Sequence, residues 1–224
     1  MSHVTAEVGA LSGQKIGIAI LAKAPVPGLA KTRLIPHLGA QGAANLQGWL
    51  LRKTVMIALD ANLGPVTLWC APDAQHPDFK ACLAYGSITL RDQPEADLGI
   101  RMWTAIAESP SSGCLVVGTD CAVLTAEFLR KAAAALEHNR AVLAPAEDGG
   151  YVLIGLRETS SMSLFSQINW STNQVMLQTR QRLDAHYVPW AQLETLWDID
   201  RPEDFERLLR LYPELADPAT GILA

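Results

Sequence analysis

The sequence alternates between short, uninterrupted apolar runs and longer segments in which apolar residues recur with helical spacing. An apolar run without polar alternation is typical of a β-strand that is covered on both faces. Alternation of such strands with helices predicts an α/β fold in which helices flank a mostly parallel central sheet. The predicted strands are residues 16–22, 66–70, 87–90, 115–118, 141–144, 151–154 and 187–190. The predicted helices are residues 41–62, 97–108, 127–138, 172–183 and a last helix that starts at Pro202.

Length and composition restrict the class of protein. The 224 residues contain no repeat, low-complexity tract or linker, which favours one domain over residues 15–224. Residues 1–14 lack periodicity and are expected to form a mobile terminus. The hydrophobic fraction of 49% and the charged fraction of 18% exclude a disordered chain. A net charge of -5 excludes a chain-wide positive field, so nucleic acid is not an expected partner.

The cysteines and the apolar runs indicate in which cellular compartment the protein is expected. No apolar run approaches the roughly 18–20 residues that span a membrane, so no membrane span is predicted. The four cysteines are far apart in sequence and form no CxxC pair. Disulfide frameworks are usually denser and occur in shorter chains, so the expectation is reduced thiols in a cytoplasmic protein.

The loop after the first predicted strand is basic and stiff. It carries Lys23, Lys31 and Arg33 without an acid, together with two prolines and Gly28. Three neighbouring cations repel one another unless an anion neutralises them, and an arginine fork with two lysines suits a diphosphate. Gly28 permits a positive φ or the close approach of a ligand to the backbone. A plain solvated basic loop is the alternative, and the sequence does not match the Walker A phosphate loop.

Two acidic segments are candidate metal ligands. Asp120 directly follows the predicted strand 115–118, and parallel sheets bind ligands beyond the carboxyl ends of their strands. Asp198 and Asp200 lie on one face of an extended segment, where two carboxylates need a cation or hydrogen bonds. Mg²⁺ and Mn²⁺ take such oxygen ligands. The alternative is helix capping, in which Asp200 caps the last helix and Glu203 completes a capping box.

The turn at residues 147–150 combines two acids with two glycines. This pattern predicts a tight hairpin, which is compatible with an acceptor-binding role. The five histidines show no ligand spacing, and the chain has neither GxSxG nor GxGxxG. Nucleophilic hydrolysis and dinucleotide-dependent dehydrogenation therefore have no support.

Six motifs resemble one bacterial family when taken in order. They are AKAPVPGLAKTRL, ADLGIRM, VVGTDC, PAEDGGYVLIGL, NWST and DIDRPEDF. The sequence resembles the glycosyltransferases found beside radical-SAM and selenoprotein-type genes, some of them associated with arsenosugar biosynthesis. The resemblance covers about residues 15–212. That family is similar to GT-A nucleotide-diphospho-sugar transferases, and also to molybdenum-cofactor and phospholactate guanylyltransferases.

The resemblance implies a single Rossmann-like GT-A domain with a Mg²⁺ or Mn²⁺ site. Asp120 would bind the metal, and Asp198 with Asp200 would supply the carboxylate that completes the site. The basic loop would grip the diphosphate of a nucleotide-diphospho-sugar donor. The residues that would contact the base or ribose are Gln93, Asp97, Gly99 and Arg101. The residues that would line the side of the small-molecule acceptor are Glu147, Asp148, Tyr151, Trp170 and Ser171.

Three departures from the family pattern affect the functional expectation. Ala122 replaces a proline, Ile100 replaces an acid, and Ser171 stands where a glycine is usual. The metal carboxylates and the basic loop are intact, so the leading hypothesis is metal-dependent glycosyl transfer with Asp148 as the general base. A nucleotidyltransferase acting on a phosphorylated small molecule is the alternative, although the proline-stiffened loop favours glycosyl transfer. A non-catalytic nucleotide-sugar binder is the third hypothesis.

Overall fold

The structure is a computed structural model that describes residues 15–157 and 162–223. The predicted mobile terminus at residues 1–14 lies outside the described residues. Seven strands form one sheet in the order β3-β2-β1-β4-β6-β5-β7. Neighbouring strands are parallel except that β6 is antiparallel to both β4 and β5, which confirms the prediction of a mostly parallel sheet. The strands are β1 Ile16–Lys23, β2 Val66–Ala71, β3 Ile88–Asp92, β4 Gly113–Val117, β5 Ala141–Pro145, β6 Tyr151–Arg157 and β7 Trp190–Gln192.

Helices cover both faces of this sheet. On one face α1 and α4 pack against the strands, and on the other face α3 and α5 do so. The last helix, α6, packs against α1 around the fully buried Phe205. The helices are α1 Ile35–Ala61, α2 Pro77–Ala81, α3 Leu98–Ala107, α4 Ala126–His138, α5 Val175–Ala185 and α6 Pro202–Leu211. Short 3-10 turns occupy Thr32–Leu34, Cys82–Tyr85, Met162–Phe165, Pro213–Ala216 and Pro218–Thr220.

Several elements differ in extent from the prediction, and the backbone conformation explains two of these differences. Helix α1 starts six residues earlier than residue 41, because the chain forms a turn of helix from Ile35 and then kinks at Gly39, where φ is 69°. Strand β7 starts at Trp190 instead of residue 187. Tyr187 has a φ of 52°, a left-handed conformation that follows the end of α5 and is incompatible with a strand.

The cap of α6 also differs from the prediction. Arg201 is the N-cap residue, and the carboxylate of Asp204 accepts hydrogen bonds from the backbone N–H groups of Arg201 and Asp200 at 2.9 and 3.1 Å. The prediction that Asp200 caps this helix with Glu203 is therefore wrong. The N-cap is one residue later, at Arg201, and Asp204 takes the capping-box position instead of Glu203. The side chain of Asp200 is left available for other contacts.

The four cysteines are buried free thiols, as expected from their spacing. Burial raises the pKa of Cys114 to about 12, so this thiol stays protonated at neutral pH. Among the described residues, no helix combines the length and the apolarity that crossing a membrane requires.

Candidate active site

A cavity of about 910 Å³ opens at the carboxyl ends of β1, β2 and β4. This is the edge at which parallel sheets bind ligands, and the volume is in the range of small-molecule sites. The end of β1 and its following loop form one wall, the loop after β4 forms another, and the start of α3 closes a third. Asp198 and Asp200 line the same cavity, although they are distant in sequence from the other lining residues.

Lys31 joins the basic loop to both acidic segments. Its Nζ atom lies 2.5 Å from Asp120 Oδ1 and donates a hydrogen bond to the Ile199 carbonyl oxygen, also at 2.5 Å. Asp200 Oδ1 is 3.8 Å from the same nitrogen. The Lys31 side chain is only 5% exposed, and its backbone is left-handed with a φ of 47°. One buried ammonium group therefore contacts carboxylates from two distant parts of the chain.

Two further contacts hold these segments together. The Ile199 backbone N–H donates to the Asp120 carbonyl oxygen at 2.9 Å. Arg33 donates from Nη1 to Asp200 Oδ2, also at 2.9 Å. The structure thus brings together Lys31, Arg33, Asp120 and Asp200 around one end of the cavity, which is the convergence that the sequence motifs imply.

Asp198 is half-buried among other acids. Burial, and after it the nearby carboxylates of Asp120 and Asp148, raise the pKa of its carboxyl to about 7. The Lys31 ammonium acts in the opposite direction. A carboxyl with this pKa is about half ionised at neutral pH, and an added cation would favour the ionised form.

The donor set fits a hard divalent ion by its chemistry. Asp120, Asp198 and Asp200 offer carboxylate oxygens, which are the ligands that Mg²⁺ and Mn²⁺ take in proteins. Burial, and after it the charges of Asp120 and Asp200, raise the pKa of Asp198, and a bound cation would offset the repulsion between these acids. Within residues 15–157 and 162–223, no three acids, histidines or cysteines are arranged as a ready-made site. The Lys31 ammonium lies between two of the three carboxylates.

Two other cations of the cavity lack an acidic partner. Lys23 and Arg101 line the cavity, and neither forms an ion pair with any residue that the structure describes. Arg101 is oriented by a hydrogen bond from its Nε to the Ala96 carbonyl oxygen at 2.7 Å. Unpaired cations facing a cavity favour an anionic ligand.

Gln93 lines the cavity with a fixed orientation. Its Nε2 donates to the carbonyl oxygens of Ala22 at 3.0 Å and of Trp69 at 2.9 Å. Both donors of the amide are therefore occupied by the ends of β1 and β2. The remaining polar atom of this side chain is an acceptor.

Two of the other candidate ligand-binding residues have structural contacts of their own, and a third lies outside the cavity lining. Asp97 caps α3, because its carboxylate accepts from the Ile100 N–H at 2.9 Å. A Cβ atom on Gly99 would lie 2.6 Å from the Trp170 ring, so Gly99 lets that ring pack on α3. Gly28 has a φ of 82° and does not line the cavity, although its neighbours Val26 and Leu29 do.

The candidates for the acceptor side are dispersed. Tyr151 lines the cavity. Asp148 accepts a hydrogen bond from the Gly150 N–H at 2.8 Å within the β5–β6 turn, which is the predicted hairpin. Glu147 is paired with Arg207 instead of facing the cavity. Ser171 has a left-handed backbone with a φ of 62°, where a glycine would be unstrained.

Two residues that the sequence reasoning missed support the site. Gln47 is 3% exposed, lines the cavity and donates to Thr119 Oγ1 at 2.9 Å, which fixes the loop that carries Asp120. Arg207 donates to Glu147 Oε2 at 2.9 Å and stacks 4.2 Å from the Trp197 ring centre, so it ties the β5–β6 turn to the segment beside Asp198. A glutamine among the apolar positions of α1 was the available signal for Gln47, and Arg207 carries no local signal.

The fold is an α/β arrangement of the kind found in structures of nucleotide-diphospho-sugar transferases and nucleotidyltransferases. The chain belongs to the DUF2064 family, described as uncharacterized proteins conserved in bacteria, whose model matches residues 54–172. No curated protein matches the sequence. The association with radical-SAM genes and arsenosugars stays a prediction.

Three solved structures illustrate the likeness. A protein from Desulfovibrio desulfuricans G20, described as a "putative nucleotide-diphospho-sugar transferase", is 25% identical, with 93% of this chain and 97% of that chain covered and a TM-score of 0.83. The 4-diphosphocytidyl-2C-methyl-D-erythritol synthase of Anaerococcus prevotii DSM 20548 is 13% identical, with coverages of 89% and 99% and a TM-score of 0.60. Rv0371c of Mycobacterium tuberculosis H37Rv, solved in complex with manganese, is 15% identical, with coverages of 88% and 98% and a TM-score of 0.52. The two more distant likenesses concern the fold alone.

Replacing Asp198 by asparagine should stabilise the protein more at pH 8 than at pH 4. In the folded protein the Asp198 carboxyl keeps its proton up to a pKa of about 7, whereas in the unfolded chain it loses it near 3.8. Stability from this group is therefore full below about pH 4 and is lost as the pH rises through 7. Asparagine does not ionise, so we expect a gain on the order of 1–2 kcal/mol at pH 8.

Urea unfolding in EDTA at pH 4 and pH 8 measures this difference. Asp60→Asn, on the exposed face of α1, is the matched control and should show no such dependence. An equal effect of Asp198→Asn at both pH values would contradict the raised pKa.

Replacing Gly99 by alanine should destabilise the fold by about 1–3 kcal/mol, because the new Cβ would overlap the Trp170 ring. The same change in a Trp170→Leu background should cost less, since the smaller side chain leaves room. Thermal and urea unfolding of the four proteins in this cycle measure the coupling. If Gly99→Ala left stability unchanged and altered only ligand affinity, Gly99 would be a ligand contact and not a packing position.

Proposed function

We propose that this protein is a metal-dependent glycosyltransferase that moves a sugar from a nucleotide-diphospho-sugar to a small acceptor. The observation that carries the proposal is the contact of one buried ammonium group, Lys31, with Asp120 and Asp200 at the end of a cavity. Cations for a diphosphate and carboxylates for a divalent ion thus line a single cavity. The 25% identity to the Desulfovibrio desulfuricans structure supports the same class.

The charges of the cavity suit a diphosphate leaving group. In glycosyl transfer the bond from the anomeric carbon to the β-phosphate oxygen breaks, and its electron pair stays on the diphosphate. Lys23 and Arg101, which have no ion-pair partner among the described residues, would bind and orient the phosphates. A divalent ion on Asp120 with Asp198 or Asp200 would supply Lewis-acid stabilisation of the departing charge. Fixed charges that face the leaving group before reaction lower the barrier.

The acceptor hydroxyl must lose its proton as its oxygen bonds to the anomeric carbon. Asp148 is the proposed base, because its carboxylate lies close enough to Asp198 to raise the pKa of that group. It precedes Tyr151 and Val152, which line the cavity. The Arg207–Glu147 pair would hold this turn in place. A cytoplasmic location is part of the proposal, because the four cysteines are free thiols.

Product analysis with a panel of nucleotide-diphospho-sugars and nucleoside triphosphates tests the proposal. Incubation with Mg²⁺ or Mn²⁺ should release nucleoside diphosphate from a sugar donor, by transfer to an acceptor or slowly to water. Release of pyrophosphate from a nucleoside triphosphate in the presence of a phosphorylated acceptor would assign the protein to nucleotidyltransferases instead. Thermal stabilisation by nucleotides without any product would indicate a non-catalytic binder, because binding to the folded state raises apparent stability.

A further inference from the structure

The Lys31 ammonium fills the space between the carboxylates that would bind a metal. An ammonium group has three donors, and here one contacts Asp120 Oδ1 and another the Ile199 carbonyl oxygen, each at 2.5 Å. Asp200 Oδ1, at 3.8 Å, adds ion pairing. The Lys31 side chain is 5% exposed, whereas the side chains of Asp120 and Asp200 are 48% and 42% exposed. The ammonium group is therefore held in place, while water and an incoming ligand can reach the carboxylates.

We propose that Lys31 is a tethered cation that competes with the divalent ion for Asp120, and that binding of a diphosphate removes this competition. The proposal rests on the proposed function and adds a residue that controls metal occupancy. A divalent ion that binds either carboxylate oxygen of Asp120 would lie close to the Lys31 ammonium, which contacts Oδ1, and the two positive charges would repel. The ammonium group must therefore leave Asp120 before the ion binds tightly.

The cavity offers a diphosphate the means to remove Lys31. Lys23 and Arg101 line the cavity and have no acidic partner within residues 15–157 and 162–223, so a diphosphate can bind to them before Lys31 moves. Its oxygens are then alternative acceptors for the Lys31 ammonium, which lies on a flexible four-carbon side chain. Once Lys31 pairs with phosphate, the Asp120 carboxylate becomes free for the ion. Metal and diphosphate then bind with positive coupling, and that coupling is reciprocal.

Mn²⁺ binding in the absence of nucleotide isolates the role of Lys31, because no metal–phosphate chelation contributes. Electron paramagnetic resonance of free Mn²⁺ gives the affinity directly. We expect Lys31→Met to bind Mn²⁺ at least about tenfold more tightly than the unsubstituted protein. Lys31→Arg keeps the positive charge and should not tighten binding. Lys23→Met removes a cation from the same cavity that has no acidic partner in the described chain, and it should change the affinity by less than about threefold.

If Lys31→Met is less stable, thermal unfolding still tests the competition. Mn²⁺ should raise the melting temperature of this variant more than that of the unsubstituted protein. Lys31→Gln serves as a second variant for the same measurement. Lys31→Met that binds Mn²⁺ no more tightly than Lys23→Met would overturn the competition. If, in that case, the unsubstituted protein still transferred sugar with Mn²⁺, the proposed function would stand and only the competition by Lys31 would be rejected. Failure of the unsubstituted protein and of every variant to bind Mn²⁺ would overturn both the competition and the metal dependence.

Discussion

Replacing Asp120 by asparagine is expected to lower the rate of transfer by about 10²–10³-fold, the usual effect of removing one group that stabilises developing charge. Asp120 lies in the loop that follows β4, and its carboxylate is the acid closest to the Lys31 ammonium. Asparagine has nearly the same shape, and the backbone hydrogen bond from Ile199 to residue 120 does not involve the side chain. The fold should therefore survive while the site loses a charge.

Donor hydrolysis or transfer, followed as release of nucleoside diphosphate, measures this effect. Circular dichroism and thermal unfolding should show that Asp120→Asn remains folded. Asp60→Asn on the exposed side of α1 is the control and should keep full activity. Undiminished turnover by Asp120→Asn would remove Asp120 from the proposed metal site.

Replacing Lys23 and Arg101 together by methionine should weaken nucleotide-diphosphate binding by about 10²–10³-fold, since a hydrogen bond to a charged group contributes about 1.5–3 kcal/mol. Neither side chain forms an ion pair with a described residue. The structural contact that is lost is the hydrogen bond from Arg101 to the Ala96 carbonyl oxygen, so the free energy of unfolding should fall by only about 1 kcal/mol. The double variant therefore reports on nucleotide affinity with little change in stability. Variants of Lys31 or Arg33 would not, because both residues form ion pairs with acids of the site.

Isothermal titration with nucleoside diphosphates, with and without Mn²⁺, measures the affinity. Lys15→Met is the matched control, because Lys15 precedes β1 and lies at the opposite end of that strand from the cavity. Equal affinity of the double variant and the unsubstituted protein would mean that the diphosphate binds elsewhere.

The elements of the fold were predictable where the signal is local. Short, mostly apolar runs indicated all seven strands. The turn at residues 147–150 indicated a hairpin between β5 and β6. The antiparallel pairing of β6 with β4, on its other side, was not predicted. The wrong cap at Asp200 arose because Asp200 and Asp204 are both acids at the start of one helix, and only long-range contacts distinguish them.

The residue types of the candidate site were predictable, but the contacts between those residues were not. Asp120, Lys31 and Arg33 were identified by their loops and by the family resemblance. The contact between Lys31 and Ile199, however, joins residues 168 positions apart. Nothing in either loop encodes that Lys31 contacts the acids, or that Lys23 and Arg101 lack such partners. For the same reason the Arg207–Glu147 pair, 60 positions apart, has no signature in the sequence.

A crystal structure of the protein with Mn²⁺ and a nucleoside diphosphate tests the central claim most directly, because the anomalous signal locates the ion. We expect one Mn²⁺ ion bound by Asp120 and by Asp198 or Asp200, with the diphosphate against Lys23 and Arg101. A manganese ion bound away from Asp120, or a nucleotide bound outside the cavity at the ends of β1 and β4, would contradict it.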